Sequence, residues 1–308
     1  MITAVLRRHP TLHYFQGYHD IVQVLLLVLG ADAAIPAVER LSLLHIRDFM
    51  LPTMSSTVSH LQLLPAILYA ADATLCAHLS LTQPFFALAA TLTLYAHDIE
   101  EYGDIARLFD FILASEAVIP VYLFAAVGPL TVRTPQFTLT RSTQIVLSRK
   151  CELLEIEADE PEMLHSVLSK LPKPLDLEGL IQRTAEIFDS YPPEKLPGQA
   201  WKQVSANSAL KTTRKARNLS KQTLLDGERY LRLQDAEIKR AEEWQKRRVI
   251  MRRLTARYKR PAAFTSAAIL VGVLALMLRS DASIAPTILS FGTALRQRAL
   301  AMAAAILP

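Results

Sequence analysis

The stretch of this 308-residue chain that least resembles generic helix packing is residues 12–22, LHYFQGYHDIV. Tyr14, Phe15 and Tyr18 bracket a polar Gln16 and a permissive Gly17, and Asp20 precedes an apolar run. A glycine there lets the backbone turn or approach another chain closely, and Asp20 is placed to cap a helix beginning near Ile21. By residue type alone a structural turn before a helix is the favoured reading, with Gln16 one more polar residue at a helix start. Other chemistry is sparse. There is no Gly-rich phosphate loop, no G-x-S-x-G, no H-E-x-x-H and no Asp/Asn-rich calcium loop. His9, His13 and His19 fall within eleven residues, but spacings of four and six on a proline-containing start read as surface or core histidines. Asp98, Glu100, Glu101 and Asp104 read as a solvated acidic cluster between helices. Cys76 and Cys151 stand apart with no C-x-x-C pair, which fits a reducing compartment and gives structural zinc no support.

The elements that must hold the 12–22 stretch read as helices. A hydrophobic content of 51% with 20% charged residues is enough for one large domain or two small ones and excludes simple disorder. Val22–Leu29 and Phe85–His97 are Leu- and Ala-rich runs too short to span a bilayer, as expected of buried helices. Further helices are predicted over about 37–49, 58–79, 104–115, 162–170 and 177–191, punctuated by prolines at which helices stop or start. The expected fold class is all-α, a multi-helix bundle over 1–197. Residues 130–148, rich in Thr and Val, read as an insertion of strand or loop. Gly227 argues for a break in the polar stretch 219–260.

Charge divides the chain more sharply than its net +5 suggests. Residues 1–200 carry 13 Lys and Arg against 22 Asp and Glu, whereas residues 201–260 carry 18 against 6. The pI near 9.2 therefore comes from one stretch, which leads into AAFTSAAILVGVLALML, residues 262–278, 17 residues without a charge. At about 1.5 Å per residue this run spans roughly 25 Å, near the short end of what crosses a bilayer core. Eight basic residues lie in 246–260, a collar that predicts anionic-lipid contact, a membrane anchor over 261–279 and a cytosolic location for everything before it. Membrane electrostatics explains the basic excess without nucleic acid. The small-residue tail 280–308 follows, and 198–260 reads as a basic helical linker.

Tyr14-x-Gln16-Gly17 resembles the Y-x-Q-G fingerprint of TBC-domain proteins, the GTPase-activating proteins of Rab GTPases. HPTLHYFQGYHDIV (9–22), HIRDFMLPTM (45–54), IARLFDFILA (105–114) and FDSYPPEKL (188–196) follow in the order seen in the endoplasmic-reticulum-anchored subgroup. The resemblance covers roughly residues 2–197 plus the anchor. It implies a TBC-type bundle, incomplete at its N-terminus, whose beginning partway through leaves apolar surface uncovered on the helix starting near Ile21. It also implies a catalytic role for Gln16, with Tyr14, Gly17 and Asp20 supporting it and Arg107 and Asp110 forming a structural Arg-Leu-aromatic-Asp element.

In the family, that glutamine orients the attacking water in a bound Rab while an arginine from I-x-x-D-x-x-R neutralises charge on the transferring phosphoryl group. An amide suits the task because it offers a donor and an acceptor together. No I-x-x-D-x-x-R occurs in this chain. Arg107 follows Y-x-Q-G rather than preceding it, and Arg7 and Arg8 are poor substitutes. An arginine finger is worth on the order of 10³–10⁵ in rate, so the expected activity is impaired. The chain needs no cofactor of its own, since GTP and magnesium belong to the Rab partner. By resemblance that Rab acts in early secretory traffic, and the chain resides at the endoplasmic reticulum membrane. The alternative is a tail-anchored helical scaffold that binds a trafficking partner and catalyses nothing.

Overall fold

The computed structural model describes residues 1–127, 152–173, 175–214 and 220–279. The expected insertion at 130–148 and the tail at 280–308 lie outside the described residues. Every regular element among the described residues is helical, as expected for an all-α fold. The packing separates a unit Met1–Lys239 from a unit Arg240–Pro308. Val204, Leu210 and Leu231, in the stretch read as a linker, are buried within the first unit.

Helix α1 (Ile2–Arg8) is followed by a loop and then by α2 (Tyr18–Leu44), which joins the two separate helical runs expected over 22–29 and 37–49. Gly30 keeps them distinct, because its φ of 73° and ψ of 170° interrupt the helical path. By length and composition alone α2 would be able to cross a membrane, with a mean hydropathy of 2.2 in its most apolar window. Its two ends are instead core: Ile21, Val22, Val24 and Leu25 are buried on one side of the kink, and Val38, Leu41, Leu43 and Leu44 on the other. Between them Leu26, Leu27, Val28 and Leu29 are exposed.

The predicted helix 58–79 is three short ones, α3 (Ser55–Leu61), α4 (Leu63–Ala71) and α5 (Ala73–His78). Asp72 makes the second break, because its carboxylate accepts the Leu75 amide at 3.0 Å and so starts a new helix. The run 85–97 also stops early. A 3₁₀ turn over Pro84–Ala87 leads into α6 (Leu88–Leu92), and the chain then turns through Leu94 and Tyr95 at positive φ. Helix α7 (Tyr102–Ala114) is amphipathic, burying Ile105, Leu108, Phe109 and Ile112.

Helix α8 (Ile119–Val127) was not foreseen, because a uniformly apolar run carries no 3.6-residue signal. It is the bundle's centre: Val121, Tyr122, Leu123, Phe124, Ala125 and Ala126 are all buried. Beyond it come α9 (Pro161–Leu168) and α10 (Leu177–Ser190), the latter capped by Asp176 onto the Gly179 amide at 3.0 Å. After the short α11 (Ala200–Gln203) and α12 (Ala209–Thr212), α13 runs from Leu224 to Arg279.

Gly227 does not break that helix. It lies in the first turn, where an added Cβ would meet Leu43 Cβ at 2.8 Å, so the residue permits a close crossing onto the end of α2. Leu231 and Gln234, further along, are buried in the first unit.

Candidate functional site

Residues 9–17 form the loop between α1 and α2, and it is pinned at several points. The His13 amide donates to the Met50 carbonyl at 2.8 Å, and Leu12 and Phe15 are buried. The Phe15 ring lies 5.6 Å from that of Tyr18 and 6.1 Å from that of Phe49. Tyr18 is fully buried; Ser42 donates its hydroxyl proton to the Val38 carbonyl at 2.7 Å, which leaves Tyr18 to donate to Ser42 at 2.7 Å. Burial raises the Tyr18 pKa, so the phenol stays protonated and this donor persists.

Between those anchors Gln16 is exposed, and its amide has no hydrogen-bond partner among the described residues. Gly17 directly after it is buried at φ 98°, the left-handed region, and caps α2 without a side chain. Asp20 is therefore not the cap expected from the sequence. The helix begins at Tyr18, directly after the fingerprint, and places Asp20 in the first turn, where a negative charge is favoured by the exposed amides. Its carboxylate lies 3.2 Å from His19 Nε2 and 3.4 Å from His97 Nδ1. Tyr14 is half-exposed beside the glutamine, with its hydroxyl 3.0 Å from His19 Nδ1 and its ring edge-on to Tyr18.

The structure thus brings Tyr14, Gln16 and Gly17 into one surface loop, with Asp20 in the first turn of α2 directly after it. Arg107 and Asp110 lie elsewhere, on the exposed face of α7, where Arg107 makes a two-pronged pair with Glu178 of α10 at 2.7 and 3.1 Å. The three early histidines do not converge, and no group of three metal-ligating side chains occurs among the described residues. His9 is instead buried at the end of α1, 3.0 Å from Glu228 and 3.4 Å from Glu39. The acidic cluster is not wholly solvated, because Asp98 is half-buried and burial raises its pKa.

Sequence reasoning missed a second polar cluster inside the HIRDFM segment. Arg47 and Asp48 are buried in a 3₁₀ turn over Arg47–Met50. Arg47 donates to Gln234 Oε1 at 3.1 Å and to the carbonyls of Leu43, Leu44 and Asn207 at 3.2, 3.1 and 2.6 Å. Its guanidinium also stacks on Tyr230, 5.2 Å from the ring centroid. Asp48 accepts from Ser208, from the Ala209 amide at 3.1 Å, and from Gln234 Nε2 at 2.7 Å, with His60 Nε2 at 2.7 Å. Burial opposes ionisation of Asp48, but the bonds from His60 and Ser208 and the nearby positive charges outweigh it and hold the carboxyl well below the usual range. Next to them His45 is pushed down to about 4 by burial and by Arg47, so it is neutral. The only sequence signal was an Arg-Asp pair within an otherwise apolar run.

Comparison with known proteins gives this bundle its class. Residues 1–132 match the Rab-GTPase-TBC domain family, a stretch that includes the whole Gln16 loop. GTPase-activating protein gyp10 of Schizosaccharomyces pombe is 35% identical over 217 residues, covering 69% of this chain and 53% of that protein. TBC1 domain family member 20 of Homo sapiens is 36% identical over 215 residues, 69% of this chain and 49% of its own length. GTPase-activating protein GYP8 of Saccharomyces cerevisiae is more distant, 24% identical over 156 residues. Residues 1–132 are thus a stretch of the Rab-GTPase-TBC domain family, and the chain spans about half the length of the curated relatives it matches.

Proposed function

We propose that this chain presents Gln16 in trans to the nucleotide site of a Rab GTPase and that the amide orients the water that attacks the γ-phosphate. The observation that supports this reading is the contrast within the loop: an exposed amide without a partner, flanked by Phe15, Gly17 and Tyr18, all buried. A surface glutamine tethered at both sides loses little entropy when it docks, and its amide needs no change of protonation to act. GTP and magnesium come with the Rab. Tyr14 and Asp20 support the loop, and Arg107 and Asp110 serve the fold. Because no I-x-x-D-x-x-R is present in the 308 residues, the stimulation expected of this chain is small.

The test follows phosphate release from a panel of GTP-loaded Rabs, those of early secretory traffic included. The chain is compared with a longer form in which a segment carrying the arginine motif precedes Met1. Acceleration of at least one Rab by the long form is expected. Unchanged hydrolysis across the panel contradicts the activator reading and leaves the non-catalytic scaffold.

The same proposal places the chain at the endoplasmic reticulum membrane, anchored by 261–279 with the bundle in the cytosol. Helix α13 runs continuously through the basic stretch and the apolar run to Arg279. Trp244, Val249, Ile250 and Met251 are exposed among the basic residues, and Arg248 lies over the Trp244 ring at 5.4 Å. Such a mixed surface suits an anionic interface. Flotation of the full chain with vesicles should survive high salt if 261–279 inserts, and fail in high salt if the basic residues alone hold it.

A further inference from the structure

We infer that Thr93 is a positioning residue for Gln16, acting through Gly17, and that the left-handed turn at Leu94 and Tyr95 exists to hold it there. The inference rests on the reading of Gln16 as the residue offered to the Rab. An added Cβ at Gly17 would lie 2.5 Å from Thr93 Cγ2, so the methyl of Thr93 sits directly against the glycine backbone and sets how far the loop can sink toward the bundle. That methyl is not free to swing. Thr93 Oγ1 donates to the Ala89 carbonyl at 2.9 Å, the back-bond of a threonine at a helix end, which selects one side-chain rotamer.

The backbone that carries Thr93 is itself held in an unusual state. Leu94 and Tyr95 adopt φ of 51° and 67°, a region that bulky residues enter only when the surroundings impose it. Here the imposition is visible: both are buried, the Tyr95 amide donates to Ala90 at 2.7 Å, and its hydroxyl donates to the Pro120 carbonyl at 2.8 Å. Two residues further on, His97 Nδ1 comes within 3.4 Å of Asp20, on the other side of Gly17 from Gln16. The turn therefore touches the loop twice, once by packing at Gly17 and once by a polar contact at Asp20. A helix that continued past Leu92 would not need either left-handed residue.

The test is a double-mutant cycle on the full chain, using Gly17→Ala, Thr93→Ser and the two together, with Gln16→Ala as a separate arm. Hydrogen exchange of residues 12–20 and the kcat and KM of stimulated hydrolysis are both read, the latter with the arginine-bearing long form. Gly17→Ala should speed exchange of 12–20 and lower kcat, each by roughly tenfold, with KM held within about twofold. Adding Thr93→Ser, which keeps the back-bond and removes the methyl, should recover about threefold of each loss. Strain from the positive φ keeps the recovery partial. Exchange that rises equally in both Thr93 backgrounds overturns the inference, as does a kcat that ignores the loop while still falling in Gln16→Ala. If Gln16→Ala leaves hydrolysis unchanged but the exchange coupling is present, the reading of Gln16 fails and the packing role of Thr93 stands. Should Gly17→Ala not fold, Thr93→Ser alone decides: exchange must rise at 12–20 and stay unchanged in α7, and an unmoved 12–20 overturns the inference.

Discussion

The Gln16 loop and the Arg47–Asp48 network are two polar arrangements of this bundle that are built in opposite ways. Around Asp48 both carboxylate oxygens have partners, drawn from α3, the start of α12 and α13. Around Gln16 the neighbours are saturated and the amide itself is left open. Saturation fixes a fold, because a buried charge that loses a partner has no water to replace it. Availability allows a group to act on something outside the chain.

That contrast can be broken at its strongest point first. Asp48→Ala should destabilise the chain by about 3–5 kcal/mol, since it strips Arg47 of its neighbouring charge and His60, Ser208 and Gln234 of an acceptor. Gln16→Ala should move the same thermal transition by less than about 0.5 kcal/mol. Comparable shifts for the two would dissolve the distinction.

Acid sharpens it. His45 has a folded pKa of about 4 against 6.5 when unfolded, so the unfolded chain takes up a proton first as pH falls. Stability is therefore full above pH 6.5 and declines toward pH 4, by about 3 kcal/mol from this group, the 2.5-unit difference at about 1.36 kcal/mol each. Asp48, held low in the fold, adds its own loss below the ordinary carboxylate range, because there too the unfolded state binds the proton more readily. Chemical denaturation at pH 7, 5.5 and 4.5 checks the sign. A chain more stable at pH 4.5 than at 7 would contradict it.

Smaller effects follow for a support of the loop and for an ion pair outside both regions. Tyr18→Phe deletes the donor to Ser42 beneath the loop and should cost about 1 kcal/mol. Arg107→Ala breaks a half-exposed pair with Glu178 and should cost less than that, screened further by salt.

The sequence made the helical class and the amphipathic helices α7 and α10 readable, because their apolar positions repeat at helical spacing. It also located the Gln16 loop, through an aromatic, amide and glycine pattern unusual for a helix start. What it hid has physical reasons. Helix α8 is buried on all sides and so carries no periodicity, and α3–α5 are divided by local caps that a propensity sum does not see. The Arg47–Asp48 network depends on partners about 160 to 187 residues away, which no local pattern connects. Gly227 looked like a helix breaker and is a contact point, because the cost of glycine in a helix is offset where two helices cross closely.

The central claim is that an unpartnered amide does the work of this surface. Single-turnover hydrolysis by a responsive GTP-loaded Rab, stimulated by the arginine-bearing long form with and without Gln16→Ala, tests it most directly. The account predicts that the substitution lowers the stimulated rate on the order of a hundredfold, with Rab affinity and melting temperature unchanged. An undiminished rate would contradict it.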